Sequence, residues 1–132
     1  MNMKLLQPAH WARPKGYANG VAVSGRQVFV AGMIGWDAQG AFHSDDLVAQ
    51  VRQALQNVVE VLAEAGARPE HIVRMTWYLT DKREYLKRGK EIGAVFRELI
   101  GSFNAAMTAV QVVALIEDRA QVEIEVTAVI PD

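Results

Sequence analysis

The chain has 132 residues, 51% of them hydrophobic and 22% charged, with a formal net charge of −1 and no cysteine. This balance predicts a single domain over residues 1–132 with an ordinary buried core. It excludes disulfides, thiolate metal sites and a cysteine nucleophile, and the lack of a basic excess speaks against nucleic-acid binding.

Residues 1–16 are expected to be irregular, since Pro8 and Pro14 block a helix through them. No continuous apolar run precedes these prolines, so no signal peptide is expected, and no stretch has the length and apolarity of a membrane span. A cysteine-free chain of this kind fits the cytoplasm. Residues 17–20 (YANG) read as a turn into a short strand over 21–24. Gly25-Arg26 suits a two-residue hairpin loop, with 27–31 (QVFVA) as the return strand. Gly32, Gly35 and Gly40 follow at spacings that match neither a P-loop nor a dinucleotide-binding fingerprint, so they read as a strand end and a tight turn.

Ser44-Asp45-Asp46 starts a helix with a capping hydroxyl and acidic residues at its positive end. Leu47, Val51, Ala54, Leu55, Val58, Leu62 and Ala65 form its apolar stripe, Gly66 ends it, and Gln50, Gln53, Gln56 and Glu60 are assigned to its solvated face. Residues 72–80 (IVRMTWYLT) alternate as a strand. Asp81, with Glu84 three residues on, opens a second helix whose inner side carries Tyr85, Gly89, Ile92, Gly93, Phe96, Leu99 and Ile100. Gly89 and Gly93 cost helix propensity, which close packing of the helix on a sheet would explain. Residues 108–115 are nearly all apolar and read as a strand covered on both faces. After a short charged connection, residues 121–130 (QVEIEVTAVI) alternate cleanly, with Val122, Ile124, Val126, Ala128 and Ile130 on one face and Glu123 and Glu125 on the other.

The order β-β-α-β-α-β-β predicts an α+β, two-layer sandwich: a mostly antiparallel sheet backed by two helices. The other sheet face, with Ala22, Ala109, Gln111, Val113 and Thr127, carries too little charge to sit in water and predicts a homo-oligomer. His10, His43 and His71 lack the clustering a metal site requires, so no metal or other cofactor is expected. Ser24, Ser44 and Ser102 lack a nucleophile-elbow context. Trp11, Trp36 and Trp77 have no interleaved basic residues and read as packing rather than base-stacking residues. Glu123 and Glu125 would stand about 7 Å apart on one strand face. On a solvated face they have no chemistry, but buried between subunits a carboxylate there gains basicity and can activate water.

The segments GYANGV, VFVAGMIGWDAQG, QVRQALQNVVEVLAEAGA, HIVRMTWYLTD and VEIEVTAV occur in that order between residues 16 and 129. As an ordered set they resemble the RidA/YjgF family of reactive-intermediate deaminases, whose members are also called L-PSP endoribonucleases or translation inhibitors. The resemblance implies a homotrimer of the chorismate-mutase-like kind with small-molecule clefts between subunits. It also implies hydrolysis of a reactive 2-imino acid with release of ammonia. Carried onto this chain, it makes Glu123 the residue that holds the attacking water and places Tyr17 at the cleft edge. The family arginine that grips the substrate carboxylate falls on Met107, and small polar pocket residues are replaced by Ala31 and Ala109. The nearest arginines in sequence are Arg97 and Arg119.

An arginine offers a bidentate, charge-assisted contact, whereas methionine offers an adjustable apolar wall. Losing such a contact in a partly buried site costs about 2–5 kcal/mol of binding. The expectation is therefore an atypical member acting on an enamine or imine other than the standard 2-imino acids, or a non-catalytic trimer that binds a small metabolite. Ribonuclease activity has no supporting constellation of His or Lys.

Overall fold

A computed structural model describes residues 3–102 and 105–132. Two short strands, β1 (Lys4–Leu5) and β2 (Val21–Ala22), precede the long strand β3 (Gly25–Ile34). Helix α1 (Leu47–Glu64) and a 3-10 turn (Pro69–His71) lead to β4 (Ile72–Leu79). Helices α2 (Lys82–Lys87) and α3 (Gly89–Leu99) then cross to β5 (Ala106–Gln111), and β6 (Val122–Pro131) closes the order. The main sheet runs β3-β6-β4-β5: β6 is antiparallel to both neighbours, while β4 and β5 are parallel. Helices back one face, giving the α+β two-layer sandwich.

The period-2 pattern of β6 places Val122, Ile124, Val126 and Ala128 in the core and leaves Glu123, Glu125 and Thr127 half-buried on the other face. Met75, Trp77 and Leu79 of β4 join the core beside them. From the opposite layer come Leu47, Val51, Ala54, Leu55, Val58 and Leu62 of α1, all buried. Each of these leucine and valine side chains contributes roughly 1.5–3 kcal/mol on burial. No helix among the described residues is long and apolar enough to cross a membrane.

Several expectations are corrected. The hairpin at Gly25-Arg26 does not form. Gly25 begins β3 with φ of 150°, and a Cβ there would collide with the Ile130 carbonyl, so the glycine allows close approach to β6. The preceding strand pairs instead with β1, which gives the otherwise irregular N-terminal segment its one strand among the described residues. Asp46 rather than Ser44 caps α1, accepting from the Ala49 amide at 3.0 Å, and Ser44 Oγ accepts from the Asp46 amide.

Gln50 is buried, not solvated. Its amide group donates to the carbonyls of Ser44 (3.0 Å) and Arg119 (2.9 Å) and accepts from the Gln121 amide (2.8 Å). It thereby ties α1 to the β5–β6 connection. The second predicted helix is broken at Arg88, which ends α2 and starts α3. The Arg88 guanidinium joins Glu91, Asp46 and Glu84, and these contacts hold it fully charged. β5 is shorter than predicted and is not covered on both faces: Thr108 to Gln111 are exposed, as are Val113 and Ile116 beyond it.

Candidate functional site

Glu123 and Glu125 share a face of β6, but their surroundings differ. Next to the Ile34–Glu123 pair, and opposite Glu125, β3 carries a bulge: its register steps from Val30 against Val126 to Met33 against Ile124, with one extra residue on β3. Gly32 lies in that bulge, and a Cβ on it would overlap the Glu123 carboxylate. The glycine therefore makes the room in which Glu123 sits. Glu125 instead accepts a hydrogen bond from the Tyr78 hydroxyl at 2.5 Å. That bond raises the Tyr78 pKa above the ordinary phenol value, helped by desolvation and by the charges of Glu125 and Glu123. No equivalent partner holds Glu123 among the described residues. Both carboxylates line a groove of about 360 Å³, whose far wall is Leu115 and Ile116 of the β5–β6 connection.

Tyr17, Met107 and Ala109 come together in a second groove of about 430 Å³, with Lys15, Gly16 and Tyr85. Ala31 lines a third, beside Phe29, Arg74 and Glu125. The separation follows from register. Met107 pairs with Met75 and Ala109 with Trp77, so both share the helix-side face of the sheet. Glu123 pairs with Tyr78 on the opposite face. One chain alone does not unite Glu123 with Tyr17 and Met107.

The Met107 groove continues under α3 into a space of about 510 Å³ walled by Trp77, Tyr85, Phe96 and Met107. The rings of Tyr85 and Phe96 lie 6.2 and 6.4 Å from that of Trp77. Desolvation raises the Tyr85 pKa. Gly89 and Gly93 open this space instead of pressing the helix onto the sheet. A Cβ at Gly89 would meet nothing within 4 Å, and one at Gly93 would meet only Arg97 Nη1, at 3.3 Å. The glycine spacing was visible in the sequence; the space above the two glycines was not. The Trp77 indole N–H is buried without an acceptor among the described residues, a state that costs about 1–3 kcal/mol.

The histidines are accounted for elsewhere. His71 is buried and accepts from the Arg68 amide through Nδ1 at 2.9 Å. His43 pairs with Asp37 at 2.6 Å, and Asp37 is held below the usual carboxylate range by the Ala41 amide and by His43. Of the tryptophans, Trp77 is core, Trp36 packs on Phe42, and Trp11 is exposed.

Residues 10–130 match the family described as Endoribonuclease L-PSP. The chain belongs to this family, which is also the Rid/YjgF family. A RutC family protein of Aquifex aeolicus is 32% identical over 114 residues, covering 86% of this chain and 87% of that protein. The 2-iminobutanoate/2-iminopropanoate deaminase of Salmonella typhimurium is 32% identical over 113 residues, 86% of each chain. Among solved structures, the Rid-family protein YyfB of Yersinia pestis superposes with a TM-score of 0.86 at 32% identity, covering 98% of this chain and 100% of its own.

Against this Rid background the two arginines near Met107 in sequence part company. Arg119 is committed: it donates to Asp45 at 3.0 Å and to the Phe42 carbonyl at 3.3 Å, and it lies over the Phe42 ring at 5.5 Å. Arg97 lines the same space as Met107.

Proposed function

We propose that this Rid-family chain hydrolyses the C=N bond of a reactive imine or its enamine tautomer, releasing ammonia, in clefts completed by further copies of itself. The observation that carries this reading is the Glu123 carboxylate seated over Gly32, free of the hydrogen bond that occupies Glu125. A water held by Glu123 adds through its oxygen to the imine carbon while the π pair moves to nitrogen. The proton released by the water passes to the carboxylate and then to the amine. The hydroxyl proton of the carbinolamine then passes through the carboxylate to nitrogen, the O–H pair forms the carbonyl π bond, and the C–N pair leaves with nitrogen as ammonia.

The face bearing Glu123 also carries exposed Phe29 and Val110, with Val113 and Ile116 on the adjoining loop. Such exposed apolar side chains favour a partner, and a homotrimer would supply one while bringing the Tyr17–Met107 groove of one copy toward the Glu123 groove of the next. Met107 in place of the carboxylate-gripping arginine supports a substrate other than the small 2-imino acids. The same substitution favours the second reading, a trimer that binds a metabolite without turning it over.

Glu123→Ala separates the two. Ammonia release from imines generated in situ is expected to vanish with ligand binding retained. A wild-type protein that binds but never releases ammonia would leave the second reading. Equilibrium sedimentation of the full chain tests the trimer, and a monomer at all concentrations would overturn the shared cleft.

A further inference from the structure

The space beneath α3 has a chemistry of its own. Its walls are apolar and largely aromatic, yet Lys15 and Arg97 border it and no carboxylate does. Neither cation has an acidic partner within 4.0 Å among the described residues, unlike Arg52, Arg68, Arg88 and Arg119. Arg97 leans back along its helix across Gly93, where any side chain would press on its guanidinium. Gly89 keeps the adjoining stretch of the space clear. At about 510 Å³ the space is far larger than a three- or four-carbon acid fills, and it lies within the range of ordinary small-molecule sites.

We propose that this space is the specificity pocket of the cleft and takes a carboxylic acid bearing an aromatic or bulky branched group. The carboxylate meets Arg97 and Lys15, and the apolar group lies among Trp77, Tyr85, Phe96 and Met107. Met107 then has a positive reason for its type: an arginine there would put a charge in the wall against which the apolar group packs. Arg97 supplies the anion contact from the helix instead of from β5. This inference rests on the reading that the Met107 groove binds a small metabolite, and it names the class.

The test is calorimetric titration of the full-length protein with phenylpyruvate, a stable oxo-acid counterpart of an aromatic 2-imino acid. Pyruvate serves as the small acid and phenylacetone as the uncharged aromatic. Phenylpyruvate is expected to bind at least about tenfold more tightly than either, the scale of one lost charge-assisted or well-packed contact. Arg97→Gln should remove most of its advantage over phenylacetone. Gly89→Leu fills open space on a helix, favours the helical backbone and should abolish binding of both aromatic probes; Gly89→Ala is the milder companion. Arg119→Gln should change nothing.

Equal binding of pyruvate and phenylpyruvate, insensitivity to both Arg97→Gln and Gly89→Leu, or no binding of phenylpyruvate would overturn the proposal. Glu123→Gln distinguishes its failure from that of the hydrolase reading, since Glu123 lies on the other sheet face. Ammonia release that depends on Glu123 but shows no preference for aromatic imines would leave the hydrolase and remove this pocket. Phenylpyruvate binding that follows Arg97 and Gly89, without ammonia release from any imine, would do the reverse.

Discussion

Two grooves on opposite faces of one sheet divide the chemistry of this molecule between them. The groove at Glu123 is acidic, and a missing side chain at Gly32 shapes it. The groove at Met107 is aromatic and basic at its rim, and missing side chains at Gly89 and Gly93 shape it. In the first, glycine makes room for a protein carboxylate; in the second, glycine leaves room for something the chain does not supply. On the proposed reading, that contrast separates a place for a catalytic group from a place for a ligand. It also supports the proposal that further copies complete the site, since within one chain the sheet stands between the two grooves.

A methyl at Gly32 would fill the acidic groove from beneath. Gly32→Ala has no positive-φ backbone to strain, so its cost falls on the Glu123 carboxylate, which must swing away. Ammonia release is expected to fall by about 10²–10⁴-fold, the usual contribution of a positioned general base. The urea midpoint should hardly move, because a flexible carboxylate end can yield. Unchanged turnover with Gly32→Ala would mean that the carboxylate position over the bulge is irrelevant to the reaction.

The wall of the same groove depends on Gln50. Gln50 holds the β5–β6 connection through two hydrogen bonds, to Arg119 and Gln121, and makes a third to the Ser44 carbonyl; Gly35 packs against it, with a Cβ there only 2.6 Å from Gln50 Cβ. Gln50→Ala leaves the Gln121 amide and two carbonyls unpaired, so stability should drop by about 1–3 kcal/mol in urea unfolding. Hydrogen exchange should quicken over residues 115–121 and not over α3. Equal loosening of both regions would show that the two grooves are not independently supported.

Legibility in the sequence followed the same divide. The strict alternation of β6 and the α1 stripe announced their buried faces, because each pattern reports on its own element alone. Glu123 was legible as a strand-face carboxylate, yet its difference from Glu125 depends on Gly32 and Tyr78, which come from other strands. The false hairpin at Gly25 shows the limit plainly: the residues suit a turn, but the partner of β2 is β1, and Gly25 serves β6. Gln50 was misread because a polar residue on a helix is usually solvated, and its partners lie far along the chain. Arg97 was noticed only as a neighbour in sequence. Its place beside Met107 requires knowing that α3 stands off the sheet at its glycines.

The smallest expected effect uses two tyrosines as reporters, one per groove. Both are pushed above the ordinary phenol pKa, but for different reasons: Tyr78 chiefly by its hydrogen bond to Glu125, Tyr85 by desolvation. Phenolate absorbance in a pH titration should therefore show Glu125→Gln lowering the Tyr78 titration and leaving Tyr85 in place. A raised pKa in the folded state means that the unfolded chain loses its phenolic protons first. These tyrosines therefore give their full contribution to stability below about pH 10 and lose it as pH rises through their folded values. Filling the aromatic space with phenylpyruvate should desolvate Tyr85 further and raise its titration while leaving Tyr78 unchanged. A shift of Tyr78 in place of Tyr85 would put the ligand on the acidic side of the sheet and reverse the assignment of the two grooves.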